Sequence, residues 1–195
     1  MTTPAAARRA RQLEERRSQI VGAARTLAET EGWDAVTIRR LADAIEYSQP
    51  VLYGHFPQGR TEIVTAVALE GFEELATALA PSADVPVASD AERVRALVTA
   101  YLGFAERHPA TYDAMFLLPV LVPFASDETP AIVRAGFEAI EGALHSLDDP
   151  PVDLPTTAEV LWGAVHGIVA LRRAGRFPAT HQEERVETLV RLVVR

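Results

Sequence analysis

The chain of 195 residues contains no cysteine, and all 19 of its Lys-or-Arg positions are arginine. The first absence rules out a disulfide framework and any thiolate metal site. Charges interrupt every apolar run before the ~20 residues that a membrane span requires. The N-terminal M-T-T-P-A-A-A-R-R-A-R has no apolar segment after its basic residues, so it does not read as a secretory signal. There is no Gly-rich phosphate loop and no G-x-S-x-G elbow, and the five histidines (His55, His108, His145, His166 and His181) show no metal-ligand spacing with carboxylates. Strand-like alternation of useful length, internal repeats and low-complexity tails are also missing. These gaps predict an all-α, soluble, cytoplasmic protein without metal, cofactor, catalytic group or membrane partner.

A hydrophobic content of 48% in 195 residues is enough to bury a substantial core. The net charge of -8 argues at first against a nucleic-acid partner, but it is unevenly spread. Residues 1–60 hold nine arginines against seven acids, whereas residues 61–195 hold ten against twenty. Arg8, Arg9, Arg11, Arg16 and Arg17, set against Glu14 and Glu15, form a basic arm leading into a helix. Such asymmetry suits a local anionic partner, and equally a solvated helix start.

Helical periodicity runs through the chain. Leu13, Ile20, Val21, Ala24, Leu27 and Ala28 predict a first long helix that Gly32 stops. Thr37 caps a helix of about two turns, I-R-R-L-A-D-A, with Ile38, Leu41, Ala42 and Ile45 on one face. After the turn at residues 45–48, Ser48 caps a second short helix, Q-P-V-L-Y, in which Pro50 is tolerated because it falls in the first turn. A long helix opens at Arg60 or Thr61, and P-S-A-D-V-P-V-A-S-D separates it from a helix capped by Ser89 or Asp90 and ended at His108-Pro109. Further helical segments are expected over 112–118, 130–147, from Thr156 or Thr157 to Arg173, and from near His181 to the end, about nine in all.

Two-turn helices are marginal in water and need tertiary packing. A pair of them joined by a tight turn and buttressed by a long helix is the helix-turn-helix arrangement, whose second helix enters the major groove. Here that helix covers residues 49–55. Val51 and Leu52 are expected to hold it to the bundle, with Gln49, Pro50, Tyr53 and His55 facing outward.

T-I-R-R-L-A-D-A followed by Q-P-V-L-Y-G-H-F resembles the DNA-binding domain of the TetR (tetracycline repressor) family of transcriptional regulators. L-W-G-A-V-H-G, at 161–167, resembles the Trp-x-x-x-His-Gly core of one branch of that family's C-terminal domains. The resemblance implies a helix-turn-helix DNA-binding domain over 1–60 and a helical-bundle domain for ligand binding and dimerisation over 61–195. It also implies a homodimer on a palindromic double-stranded DNA operator, released by a small-molecule effector. By position in the motif, Arg39, Gln49, Pro50 and Val51 would lie nearest the base edges. Gln pairs with adenine, Arg with guanine, and Pro and Val meet a thymine methyl. Thr37, Tyr53, His55 and Arg60, with Ser48 at the helix start, would lie along the phosphates. For His55 and Tyr53 the residues alone allow core packing just as well. Two departures stand out. Glu46 occupies the turn position usually held by glycine, and P-Q-G-R-T-E is one residue longer than the usual link, with Arg60 where lysine is common.

Tyr101, Phe104, Tyr112, Met115, Phe116, Phe137, Trp162 and His166 fit either plain core or the walls of a ligand cavity, which needs apolar sides and a few polar anchors. Val160, Leu161, Val165, Ile168, Val169, Leu171, Val186, Leu189, Val190 and Val193 exceed what one thin domain buries, and a four-helix dimer interface would use them. The rival reading is an all-α enzyme or small-molecule carrier without DNA binding.

Overall fold

The computed structural model describes residues 3–80, 89–178 and 180–194. The linker expected around 81–90 falls mostly outside these residues. Among them there are nine α-helices and no strand. The all-α fold class therefore holds.

α1 (Pro4–Glu31) starts where the Thr3 hydroxyl accepts from the Ala6 N–H, with Pro4 in the first turn. It ends at Gly32, whose φ of 83° and N–H bond to the Ala28 carbonyl close the last turn. The helix begins nine residues earlier than the apolar pattern indicates, so the basic arm is itself helical. Its buried residues, Ile20, Val21, Ala24 and Ala28, all lie in its second half. A 3-10 turn (Trp33–Ala35) leads to α2 (Ile38–Ala44), where the Thr37 hydroxyl accepts from the Arg40 N–H at 3.2 Å, as the sequence predicts. α3 (Gln49–His55) follows, and Ser48 occupies its N-cap position without a side-chain capping bond, contrary to expectation. The Ser48 carbonyl, not its hydroxyl, accepts, from the Val51 N–H.

The chain forms two compact units. The first comprises residues 1–71 and 108–123, the second 72–107 and 124–195. α4 (Arg60–Leu79) contributes to both. In the first unit, Ile20, Val36, Leu41, Leu52, Phe56 and Ile63 are fully buried. Leu52 is what makes the two-turn α3 persist, since full burial of a leucine stabilises by about 1.5–3 kcal/mol. α6 (Pro109–Phe116) belongs to this unit and is fastened to α1. The Glu29 carboxylate accepts from the Ala110 and Thr111 N–H groups, both at 2.9 Å, and from the Thr111 hydroxyl at 2.8 Å. The Trp33 indole donates to the Ala110 carbonyl at 2.7 Å. Gly71 lets α4 approach α6: a Cβ there would lie 2.6 Å from Thr111 Cγ2 and 2.7 Å from Met115 Sδ.

The second unit packs α5 (Asp90–Arg107), α7 (Ala131–His145), α8 (Leu154–Arg173) and α9 (Gln182–Val193) with the end of α4. Arg95 pairs with Glu187 through both guanidinium-side nitrogens and holds α5 to α9, and that guanidinium keeps the Glu187 carboxyl below its usual range. Asp90 accepts from the Asp148 N–H, closing the turn after α7. By length and composition α8 is apolar enough to cross a membrane. Its Ala158, Leu161, Val165, Ile168 and Val169 are buried in the unit, as befits a bundle helix.

Candidate nucleic-acid interface and ligand site

The turn between α2 and α3 fixes the presentation of α3. Ile45 ends α2, Glu46 adopts φ 57°, and the Tyr47 N–H returns to the Ala42 carbonyl at 2.9 Å. This is the closing bond of a Schellman motif, built with a glutamate at the left-handed position that favours glycine. The turn therefore keeps the shape a glycine would give, and Glu46 bears strain of about 1 kcal/mol. Tyr47 then anchors to α1, its hydroxyl donating to Gln19 Oε1 at 2.8 Å.

Leu52 points inward at 0% exposure, whereas Gln49, in the first turn, and Pro50 and Tyr53, on the other sides of the helix, are exposed. Val51, expected to help hold α3, is 37% exposed, so it stands on the outer surface as the base-contacting assignment needs. Tyr53 is 49% exposed and its ring edge lies 3.4 Å from where a Gly59 side chain would begin. The C-terminal end of α3 is secured by Arg17, which donates to the His55 carbonyl at 3.0 Å and stacks 4.2 Å over the Phe56 ring. Nothing in the apolar pattern signals that role for Arg17. It depends on a partner 38 residues away.

Thr37, Arg39, Ser48, Gln49, Pro50, Val51 and Tyr53 are exposed, and His55 is half-buried. Arg60 does not join them. Its Nε donates to the Val36 carbonyl at 3.0 Å and its Nη2 to the Trp33 carbonyl at 2.8 Å, with the guanidinium near the Trp33 ring. These two carbonyls lie in the turn before α2, and Arg60 braces that turn.

The eight residues proposed for a ligand cavity divide between the units. Tyr112, Met115 and Phe116 lie on α6 in the first, where Tyr112 packs on Phe116 at 4.7 Å between ring centres and Met115 lies against Gly71. In the second unit the Trp162 indole donates to the Tyr101 hydroxyl at 3.0 Å, and Phe137 and His166 stand 6.1 Å and 6.4 Å from the Trp162 ring. Phe104 is buried at 2% exposure. Burial holds the His166 imidazole below its usual pKa, so its neutral form is favoured. The cavity beside Tyr101 and Trp162 measures only about 10 Å³, room for about one water. Side chains fill this site. Among the described residues no three His, Asp or Glu side chains converge as a metal site would need.

Comparison with known proteins gives two family matches. Residues 20–67 match bacterial regulatory proteins of the tetR family, and residues 94–195 match the tetracyclin repressor-like C-terminal domain. The chain is 28% identical over 159 residues to an uncharacterized HTH-type transcriptional regulator of Mycobacterium tuberculosis, covering 82% of this chain and 71% of that protein. A tetR-family transcriptional regulator from Streptomyces coelicolor superimposes with a TM-score of 0.65 at 25% identity, over 92% of this chain and 78% of that one. A TetR/AcrR-family regulator from Thermobifida fusca does so with a TM-score of 0.65 at 22% identity, over 92% and 96%.

Proposed function

Given that the chain belongs to the TetR family and is a DNA-binding transcriptional regulator, we propose that it is a one-component repressor: a cytoplasmic homodimer that grips a palindromic operator and lets go when a small molecule binds. Members of the family are generally not enzymes, and their action is binding. The observation that carries this reading is α3 itself, with one buried anchor, Leu52, and an outer face of Gln49, Pro50, Val51 and Tyr53. Gln49 reads an adenine edge, Arg39 a guanine, and Pro50 and Val51 a thymine methyl. Thr37, Ser48, Tyr53 and His55 meet phosphates and set register. Arg60, whose Nε and Nη2 donate to Val36 and Trp33, would reach a phosphate only through its remaining N–H donors.

Dimerisation is supported by α8 and α9. Val160 is 66% exposed and Leu192 76%. Added Cβ atoms at Gly163 and Gly167 would meet nothing within 4 Å. A second copy of α8 and α9 would cover this stripe in a four-helix interface, and binding to successive major grooves calls for two α3 helices about 34 Å apart, one turn of DNA.

The effector would bind at the Trp162 cluster, in a regulatory domain of 61–195 that follows a DNA-binding domain of 1–60. Because ligand pockets of drug size occupy ~300–1,000 Å³, entry must displace Trp162 or Phe137. α4 begins in the unit that carries α3 and ends with Phe72, Leu75 and Leu79 buried in the other, so it is the element through which occupancy shifts the spacing of the two α3 helices. The test is selection of operator DNA from random duplexes, followed by Gln49→Ala. That change should lower discrimination at one base pair by about 1–3 kcal/mol and leave random-sequence affinity unchanged. Equal loss on selected and random DNA would remove Gln49 from the reading set. An effector that occupies the site without altering operator affinity would refute the coupling.

A further inference from the structure

The family match begins at residue 20, yet α1 begins at Pro4. Sixteen helical residues, Pro4 to Gln19, thus precede the segment that the family's N-terminal model matches, and none of them is buried. At about 1.5 Å per residue this extension is ~24 Å long. Isolated exposed helix has no packing to recommend it. Its side chains give it a face: Arg8, Gln12 and Arg16 follow at spacings of four, with Arg9 beside them, all within about 100° of arc. Ala5 and Leu13 share this exposed surface with them. Glu15, seven residues on from Arg8, lies about 20° from it at the edge of this face, and Glu14 lies on the opposite side, so the face of Arg8, Arg9 and Arg16 stays basic with one acid at its border.

We propose that this extension is a rigid helical outrigger that lies along the phosphate backbone of DNA flanking the half-site. Arg8, Arg9 and Arg16 contact phosphates there and read no bases. The inference rests on the DNA-binding reading above and adds a second, sequence-independent contact surface to it. Charge complementarity selects the partner: three guanidiniums on one face of a rod match a polyanion with one charge per ~1.7 Å of axis, within a protein that elsewhere would repel it. Two properties follow. The footprint extends beyond the base pairs that α3 touches, and part of the affinity comes from counterion release.

The experiment compares wild type, Arg8→Ala/Arg9→Ala/Arg16→Ala, and the same three positions changed to Lys. Binding is measured by anisotropy on a selected operator trimmed to its conserved base pairs and on the same operator with random flanks of ~10 base pairs. The three sites are exposed and Ala and Lys are good helix formers, so helicity by circular dichroism should be unchanged. On flanked DNA, losing three phosphate contacts per chain, six per dimer, should reduce the slope of log K against log salt by ~5.4, equivalent to a roughly 1,800-fold smaller fall between about 50 and 200 mM salt. The Lys variant should keep the wild-type slope, because a phosphate accepts a point charge. On trimmed DNA the three proteins should differ little, and base preference should be the same in all. An unchanged slope in the Ala variant, or an equal loss on trimmed and flanked DNA, would overturn the outrigger while leaving the regulator reading intact. A selection that enriches no site at all would overturn both.

Discussion

Glu29→Ala tests the joint between α1 and α6. The carboxylate caps α6 from outside the helix, because the residue at the N-cap position, His108, makes no side-chain capping bond. Ala110 and Thr111, whose N–H groups it accepts, are exposed by only 7% and 0%, so water does not replace it freely. An unsatisfied buried donor costs about 1–3 kcal/mol. Two donors, partly compensated by local relaxation and by the surviving Trp33 bond to the Ala110 carbonyl, put the loss at about 3 kcal/mol. For a chain of this size that lowers Tm by roughly 6–12 °C. Glu29→Gln keeps one acceptor oxygen and should lose about half as much. Thermal unfolding followed at 222 nm decides the matter, and an alanine variant melting within about 1 °C of its parent would show that the three bonds contribute nothing to the fold.

Gly71→Ala should destabilise by about 1–3 kcal/mol in chemical denaturation, because the new methyl meets Thr111 Cγ2 at 2.6 Å and that hydroxyl is held by Glu29. A helix-propensity gain of about 1 kcal/mol appearing undiminished would refute the close approach. Glu46→Gly should be more stable than Glu46→Ala by roughly 1 kcal/mol, since only glycine relieves the left-handed turn; equal midpoints would contradict the strain. His166 has a folded pKa depressed by burial, so its contribution is present above the unfolded value of about 6.5 and is lost as pH falls through the lower folded value. Tm of wild type should therefore drop more than that of His166→Gln between about pH 7 and 5, and parallel curves would exclude the burial argument.

Local signals carried much of this architecture. Thr37 as a cap, the limits of α3 at Gln49 and His55, and the stop at Gly32 could be read from spacing and residue type, because each depends on neighbours a few positions away. Expectations that relied on distant partners fared differently. The turn role of Arg60, the stacking of Arg17 on Phe56 and the Glu29 cap of α6 depend on contacts 24 to 82 positions apart, which periodicity does not encode. The helical course of the arm escaped notice for the opposite reason: its alanines and arginines favour helix without any apolar stripe to reveal it. The aromatic residues matched a cavity lining by composition, yet composition does not tell Tyr112 and Met115 on α6 from the group around Trp162.

Trp33 and Trp162 are the only tryptophans, and the two units hold one each, hydrogen-bonded to the Ala110 carbonyl and to the Tyr101 hydroxyl respectively. The protein thus contains a pair of native fluorophores. In Trp162→Phe, emission reports only the joint at α6, and in Trp33→Phe only the surroundings of Tyr101. Titrating an effector against each single-tryptophan form would separate the optical signature of occupancy from that of the message it sends.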